Sequence, residues 1–320
     1  IIAELLILLI VDPVFYRDSG EYIALTEAFR LSAWERAFPP HLPVLYTCFS
    51  GILTKIGIPS VSALLLVSGL FTAATVFPLY GWLRVLLSPV QAAWGVFLYA
   101  LYPEIIRCGC APLLDSGRFF FIFFALWLIF SDWQQRRPLL RISLLGLAYA
   151  GMTLVRAEGI CFVAILMAIH GLLLIHHHRA EGKMILFRKL SACMVLPLLI
   201  VVVLSLPRLV QMQQLCGYPG IDMRQSRGIN DFLRLFSSPE PVASTTPSAP
   251  ESVQEEIKPV SSLKILLDQP RYYRNLISGI NPWYLPFTLI GLFLLWRDKR
   301  FHFNHGMVLL LLFFYCGFHF

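Results

Sequence analysis

Residues 61–87 read VSALLLVSGLFTAATVFPLYGWLRVLL, an apolar run broken by one charge, Arg84, near its end. It exceeds the ~20 residues that a helix needs to cross a bilayer. Working outward, further apolar runs occupy 1–11, 42–58, 90–103, 119–130, 139–155, 160–175, 190–210, 283–296 and 306–320. Of the 320 residues, 57% are hydrophobic and 14% charged, and the mean hydropathy is +0.69. A soluble protein would carry about 25% charged residues. That deficit excludes an ordinary water-soluble domain, a nucleic-acid-binding module and a disordered chain. No run shows the alternation of a barrel strand, so helices are left to satisfy the backbone in lipid. The expected fold is an all-α polytopic membrane protein with about nine or ten membrane helical segments. The formal charge of +7 is then first a signal of topology.

Short basic loops give the orientation. Arg136, Arg137 and Arg141 lie in 134–141; Arg179, Lys183, Arg188 and Lys189 in 176–189; Arg297, Lys299 and Arg300 in 297–305. Two spans separate each loop from the next, so all three share a side, which the positive-inside rule makes cytoplasmic. The other side receives 104–118, the turn at 156–159 and the long segment 211–282. The first loop, 12–43, joins that external side only if 42–58 does not cross. This run is short and carries Ser50, Thr54 and Lys55, so it is expected to re-enter or to lie in the interface. Residues 20–38 read as an amphipathic interfacial helix with Leu25, Phe29 and Trp34 as anchors. The organisation divides at 1–210, 211–282 and 283–320. Within the middle part, 239–259 is rich in Pro, Ser, Thr and Glu and is expected to be mobile. Both ends of the chain lie inside apolar runs too short to span, which reads as a longer protein clipped at each end.

The seven cysteines show no metal spacing. Cys48, Cys161, Cys193 and Cys316 sit in apolar runs, while Cys108, Cys110 and Cys216 border polar segments, where a disulfide from Cys216 to either of the others is open.

The external face concentrates ionisable groups: Asp18, Glu21, Glu104, Asp115 and Glu158, with Arg17, Arg107, Arg118 and Arg156. Charge at membrane depth is costly and defaults to a functional reading. Carboxylates suit a general base, and an arginine fork suits a phosphate. Each residue also has a plainer role. Asp18 with Glu21 matches a helix N-terminal cap, and Asp115 matches the cap of a helix starting near Arg118. Arg156 and Glu158 stand two apart and do not face each other on a helix, so they also fit as anchors of two span ends. Arg107 fits a snorkelling arginine. His176, His177 and His178 fit a solvated helix end better than a metal site. The run GLAYAG at 146–151 lies inside a span and reads as helix packing, not as a phosphate loop.

The order of these residues resembles a known superfamily. Tyr16-Arg17-Asp18-Ser19-Gly20-Glu21-Tyr22, then a helix, then Phe38-Pro39-Pro40-His41-Leu42-Pro43, is similar to the first extracytoplasmic loop of the GT-C glycosyltransferases. Family 39, the protein mannosyltransferase and aminoarabinose transferase group, is the most similar. Tyr102-Pro103-Glu104 with Leu114-Asp115-Ser116 resembles its second external turn, and Arg156-Ala157-Glu158-Gly159 its Arg-x-Glu-Gly turn. The resemblance covers roughly 1–210 and departs at Phe38-Pro39-Pro40, where the aminoarabinose branch has Glu-Lys-Pro; His41 is the polar residue nearby.

The resemblance implies a GT-C-like catalytic module over 1–210. It implies transfer of a sugar, with inversion, from a polyprenyl-phosphate donor to a lipid, glycan or protein acceptor. Asp18 and Asp115 would be catalytic, and Glu21, Tyr22, His41, Glu104, Arg107, Arg156 and Glu158 would bind substrate. It leaves a divalent metal open, requires no other cofactor or nucleic acid, and implies a bacterial inner membrane with an extracytoplasmic active face. Other classes consistent with the composition are a secondary transporter, a non-catalytic membrane subunit and a transferase that relies on arginines without an aspartate base. A transporter would place its charges at the midplane within internal repeats, and no repeat is visible.

Overall fold

The computed structural model describes residues 17–40, 42–131, 138–156, 158–178 and 183–216. The chain divides into two units, Ile1–Phe232 and Leu233–Phe320, and every described residue belongs to the first. The runs at 1–11, 283–296 and 306–320, the segment 239–259 and His41 lie outside the described residues, as do the loop residues 132–137 and 179–182.

The described residues form ten helices and no strand. They are α1 (Arg17–Arg30), α2 (Trp34–Ala37), α3 (Leu45–Lys55), α4 (Ser60–Leu86), α5 (Pro89–Leu101), α6 (Pro103–Cys110), α7 (Asp115–Phe130), α8 (Pro138–Val155), α9 (Gly159–His178) and α10 (Lys183–Cys216). Four are long and apolar enough to cross a membrane: α4, α8, and the stretches Gly159–His176 of α9 and Leu190–Leu215 of α10. There are five if α6 and α7, bent by 118° at their junction, make one broken span. Of the ten apolar runs, seven fall among the described residues, and these give four or five helices long and apolar enough to cross. The run at 90–103 becomes α5, only 13 residues long, and 42–58 becomes α3, 11 residues long. At 1.5 Å per residue, α3 rises about 16 Å, roughly half of a bilayer core.

The faces of α3 show where it lies. It buries Tyr46, Thr47, Ser50, Gly51 and Thr54 and turns out Phe49, Ile52 and, at its C-cap, Ile56. A helix on the surface of a soluble domain would do the reverse. Three of the four buried hydroxyls find partners inside: Tyr46 Oη donates to Leu64 O at 3.1 Å and meets Ser68 Oγ at 2.6 Å, Ser50 Oγ meets Thr26 Oγ1 of α1 at 2.8 Å, and Thr54 Oγ1 donates to Gly51 O at 2.7 Å; Thr47 Oγ1 has no partner among the described residues. α10 repeats the pattern, with Ser205, Arg208 and Met212 buried and Val195, Leu198, Val202 and Leu206 exposed. Apolar surfaces of this extent on several long helices mark a membrane protein.

Close packing fixes the spans against one another. A Cβ on Gly151 would lie 2.4 Å from the Phe121 ring of α7, and one on Gly146 would lie 3.1 Å from Pro197 Cα of α10. The run 146–151 thus serves helix contact, as small residues do in membrane bundles. Arg141 is not a loop residue. It sits in the first turn of α8, 3% exposed, and its guanidinium donates to the carbonyls of Leu128 and Ile129 in the last turn of α7. Those carbonyls lack partners within their own helix. Cys108 and Cys110 are buried, and neither is joined in the disulfide that the sequence left open.

Candidate active site

Three segments distant in sequence meet at one end of the bundle. Beneath them lies a cluster of Tyr22 and Leu25 from α1, Tyr46 from α3, Leu64 and Val67 from α4, Leu114 before α7 and Val155 at the end of α8. Leu114 and Val155 are each followed directly by a site residue, Asp115 and Arg156. Burying the apolar cluster therefore brings the polar ends of α7 and α8 together above it.

Asp115 is the first residue of α7 and does not cap it; the cap position is Leu114, in helical conformation and with no side-chain bond. The carboxylate is used for ion pairing. Its Oδ1 accepts from Arg118 Nη2 at 2.8 Å and from Arg156 Nη1 at 2.8 Å. The Arg118 side chain is 4% exposed and Asp115 25%. Arg156 Nε donates to Glu158 Oε2 at 3.2 Å, so two residues that would not face each other on a helix meet across a turn. Burial opposes the Arg156 charge, but Asp115 and Glu158 outweigh it and raise its pKa. Burial also opposes the Glu158 charge, and Arg156 outweighs it, so that carboxyl lies below its ordinary value.

Gly159 makes this turn possible. A Cβ there would stand 2.1 Å from the Met152 carbonyl oxygen, a backbone atom with no rotamer to change.

Asp18 lies in the first turn of α1 and is exposed, as is Glu21. One turn on, Tyr22 is 5% exposed and packs edge-on against Tyr46, with centroids 5.6 Å apart. Burial raises its pKa first and Asp18 next; Arg156 acts the other way, and Asp115 and Glu21 add smaller contributions. The phenol therefore remains a protonated donor within the field of four charged site residues. Asp18 makes no hydrogen bond or ion pair with any described residue.

The structure thus assembles Asp18, Glu21, Tyr22, Asp115, Arg156 and Glu158. Arg118, noted in the sequence only as an accompanying base, joins them. Glu104 and Arg107 bond to each other, three residues apart on α6, and His41 lies outside the described residues. Among the described residues no group of three or more His, Cys, Asp or Glu is placed to hold a metal ion.

Sequence reading missed Arg208. It is 3% exposed and reaches the first loop from α10. An arginine inside an apolar run was the available signal.

No family model matches the chain, and neither the curated proteins nor the solved structures give a match.

Proposed function

We propose that the chain is the catalytic membrane module of a GT-C-type glycosyltransferase that uses a polyprenyl-phosphate sugar. One observation carries the reading: Asp18, Asp115 and the Arg156–Glu158 turn, the three elements of the resemblance, converge at one end of the bundle. On this reading that end is extracytoplasmic and the membrane is the bacterial inner membrane.

The pairings suggest a division of labour. Asp115 is engaged by two guanidinium groups, so it acts as the ionic tie that holds Arg118 and Arg156 in place. Asp18, exposed and unengaged by the described residues, serves as general base. It takes the proton from an acceptor hydroxyl. The acceptor oxygen bonds to the anomeric carbon from the face opposite the phosphate. The carbon–oxygen bond to phosphate breaks, and the polyprenyl phosphate leaves with that electron pair. Arg156, 32% exposed at its side chain, is the cation accessible to the leaving phosphate, which would displace Glu158 as partner. Tyr22 supports Asp18 from below as a neutral hydroxyl.

The test uses membranes carrying the full-length protein and a panel of polyprenyl-phosphate sugars, with release of polyprenyl phosphate as the readout. Release from one donor is expected, with Asp18→Asn reducing it by at least about a hundredfold, the usual worth of a general base. Equal release by wild type and Asp18→Asn would reject the assignment of the base. No release from any donor would reject the transferase reading.

A further inference from the structure

The segment 38–43, Phe-Pro-Pro-His-Leu-Pro, contains three prolines and so lacks three amide hydrogens. Its carbonyls therefore have few local donors, although buried carbonyls need them. Locally, Leu42 N–H reaches Pro39 O at 3.4 Å. Arg208 supplies further donors. Its Nη1 donates to Phe38 O at 3.2 Å, and its Nη2 to Pro39 O and Leu42 O at 2.8 Å each. The same Nη1 donates to Gln211 Oε1 at 2.7 Å, and Gln211 Nε2 donates back to Phe38 O at 3.0 Å. Only a planar fork with several N–H groups can hold carbonyls spread in this way; an ammonium group cannot match it.

The held segment borders the site. Leu42 packs on the apolar cluster that contains Tyr22, Leu114 and Val155. Phe38 packs edge-on against Phe29 of α1, with centroids 5.9 Å apart. Much of the apolar surface of α10 faces outward, and Arg208 and Gln211 are where its end grips the first loop.

We infer that Arg208 is a positioning residue: it clamps the backbone at Phe38, Pro39 and Leu42 beside the Asp115–Arg156 cluster and thereby makes the end of α10 a wall of the site. The clamp stands on geometry alone, and its role in transfer rests on the function proposed above.

The experiment compares wild type, Arg208→Gln and Arg208→Lys, each as full-length protein in lipid nanodiscs, by hydrogen–deuterium exchange. The same variants and Asp18→Asn are profiled in cells for polyprenyl-phosphate sugars. Arg208→Gln should speed exchange across 34–48 by about tenfold or more, since charge-assisted bonds are lost. Arg208→Lys should fall between it and wild type, and a peptide from 142–155 should not change. The donor lipid should accumulate in Arg208→Gln as it does in Asp18→Asn. Unchanged exchange over 34–48 would overturn the clamp. Faster exchange without donor accumulation, where Asp18→Asn does accumulate it, would overturn the positioning role. Absence of accumulation in Asp18→Asn as well would mark failure of the transferase reading, with exchange still deciding the clamp. Should Arg208→Gln fail to reach the membrane, Arg208→Lys and Gln211→Leu provide the same comparison.

Discussion

At the scale of single residues the site depends on one shared oxygen and one missing side chain. Asp115→Asn removes the carboxylate from Arg118, whose side chain is 4% exposed. Removing this charge partner from the buried cation should cost about 2–4 kcal/mol, read as denaturant stability in detergent. Glu158→Gln, at a side chain 53% exposed, should cost no more than about 1 kcal/mol. Equal losses would mean that Asp115 does not tie the two arginines. Gly159→Ala puts a Cβ against the Met152 carbonyl and should destabilise by about 1–3 kcal/mol or more. Part of this was legible in the sequence. Asp115 and Arg118 have the three-residue spacing of a helical ion pair. The Asp115–Arg156 contact joins residues 41 apart, and no local rule gives it. Arg208 was hidden because its run, 190–210, reads as an ordinary span, and the carbonyls it holds in the first loop lie more than 160 residues earlier.

At the scale of elements, α3 is the informative helix. Ser50, Thr54 and Lys55 argued in the sequence that this run does not cross, and Ser50 and Thr54 prove to be buried toward the protein. Which face they would occupy was not legible, since helix periodicity alone does not say which side is wet. If the face bearing Ile52 meets lipid, Ile52→Asp should cost about 1–2 kcal/mol in nanodiscs; a change within about 0.5 kcal/mol is expected of a water-exposed site and would contradict this. The contact between α1 and α4 has its own pH signature. Glu27 accepts from Arg30 Nε at 2.8 Å and from Ser60 Oγ at 2.6 Å. The Arg30 bond first, then the Ser60 bond, holds its carboxyl at about 2, below its ordinary 4.5. Its folded value is depressed, so its contribution is complete above pH 4.5 and is lost as pH falls toward 2. The difference in unfolding midpoint between wild type and Glu27→Gln should therefore be constant above pH 5 or so and shrink below it. A difference that grows on acidification would contradict the assignment.

At the scale of the whole molecule, composition and apolar runs were enough for an all-helical membrane protein, because a bilayer admits so few alternatives. The number of crossings was less legible. The long run 61–87 became α4, long enough to cross, while the shorter runs 90–103 and 119–130 became the 13-residue α5 and α7, which forms a bent pair with α6 from the loop before it. Length in sequence does not reveal a bend of 118°. The convergence of three loops was expected only on the condition that α3 stays on one side; its 11 residues are about half of what a flat crossing needs. The central claim is that the converged end is a glycosyl-transfer site with Asp18 as base. The most direct measurement is mass spectrometry of lipid-linked sugars in cells carrying the full-length wild type or Asp18→Asn, at equal amounts in the membrane. The account predicts that one polyprenyl-phosphate sugar accumulates in Asp18→Asn, which would also identify the donor. An unchanged profile in Asp18→Asn would contradict it.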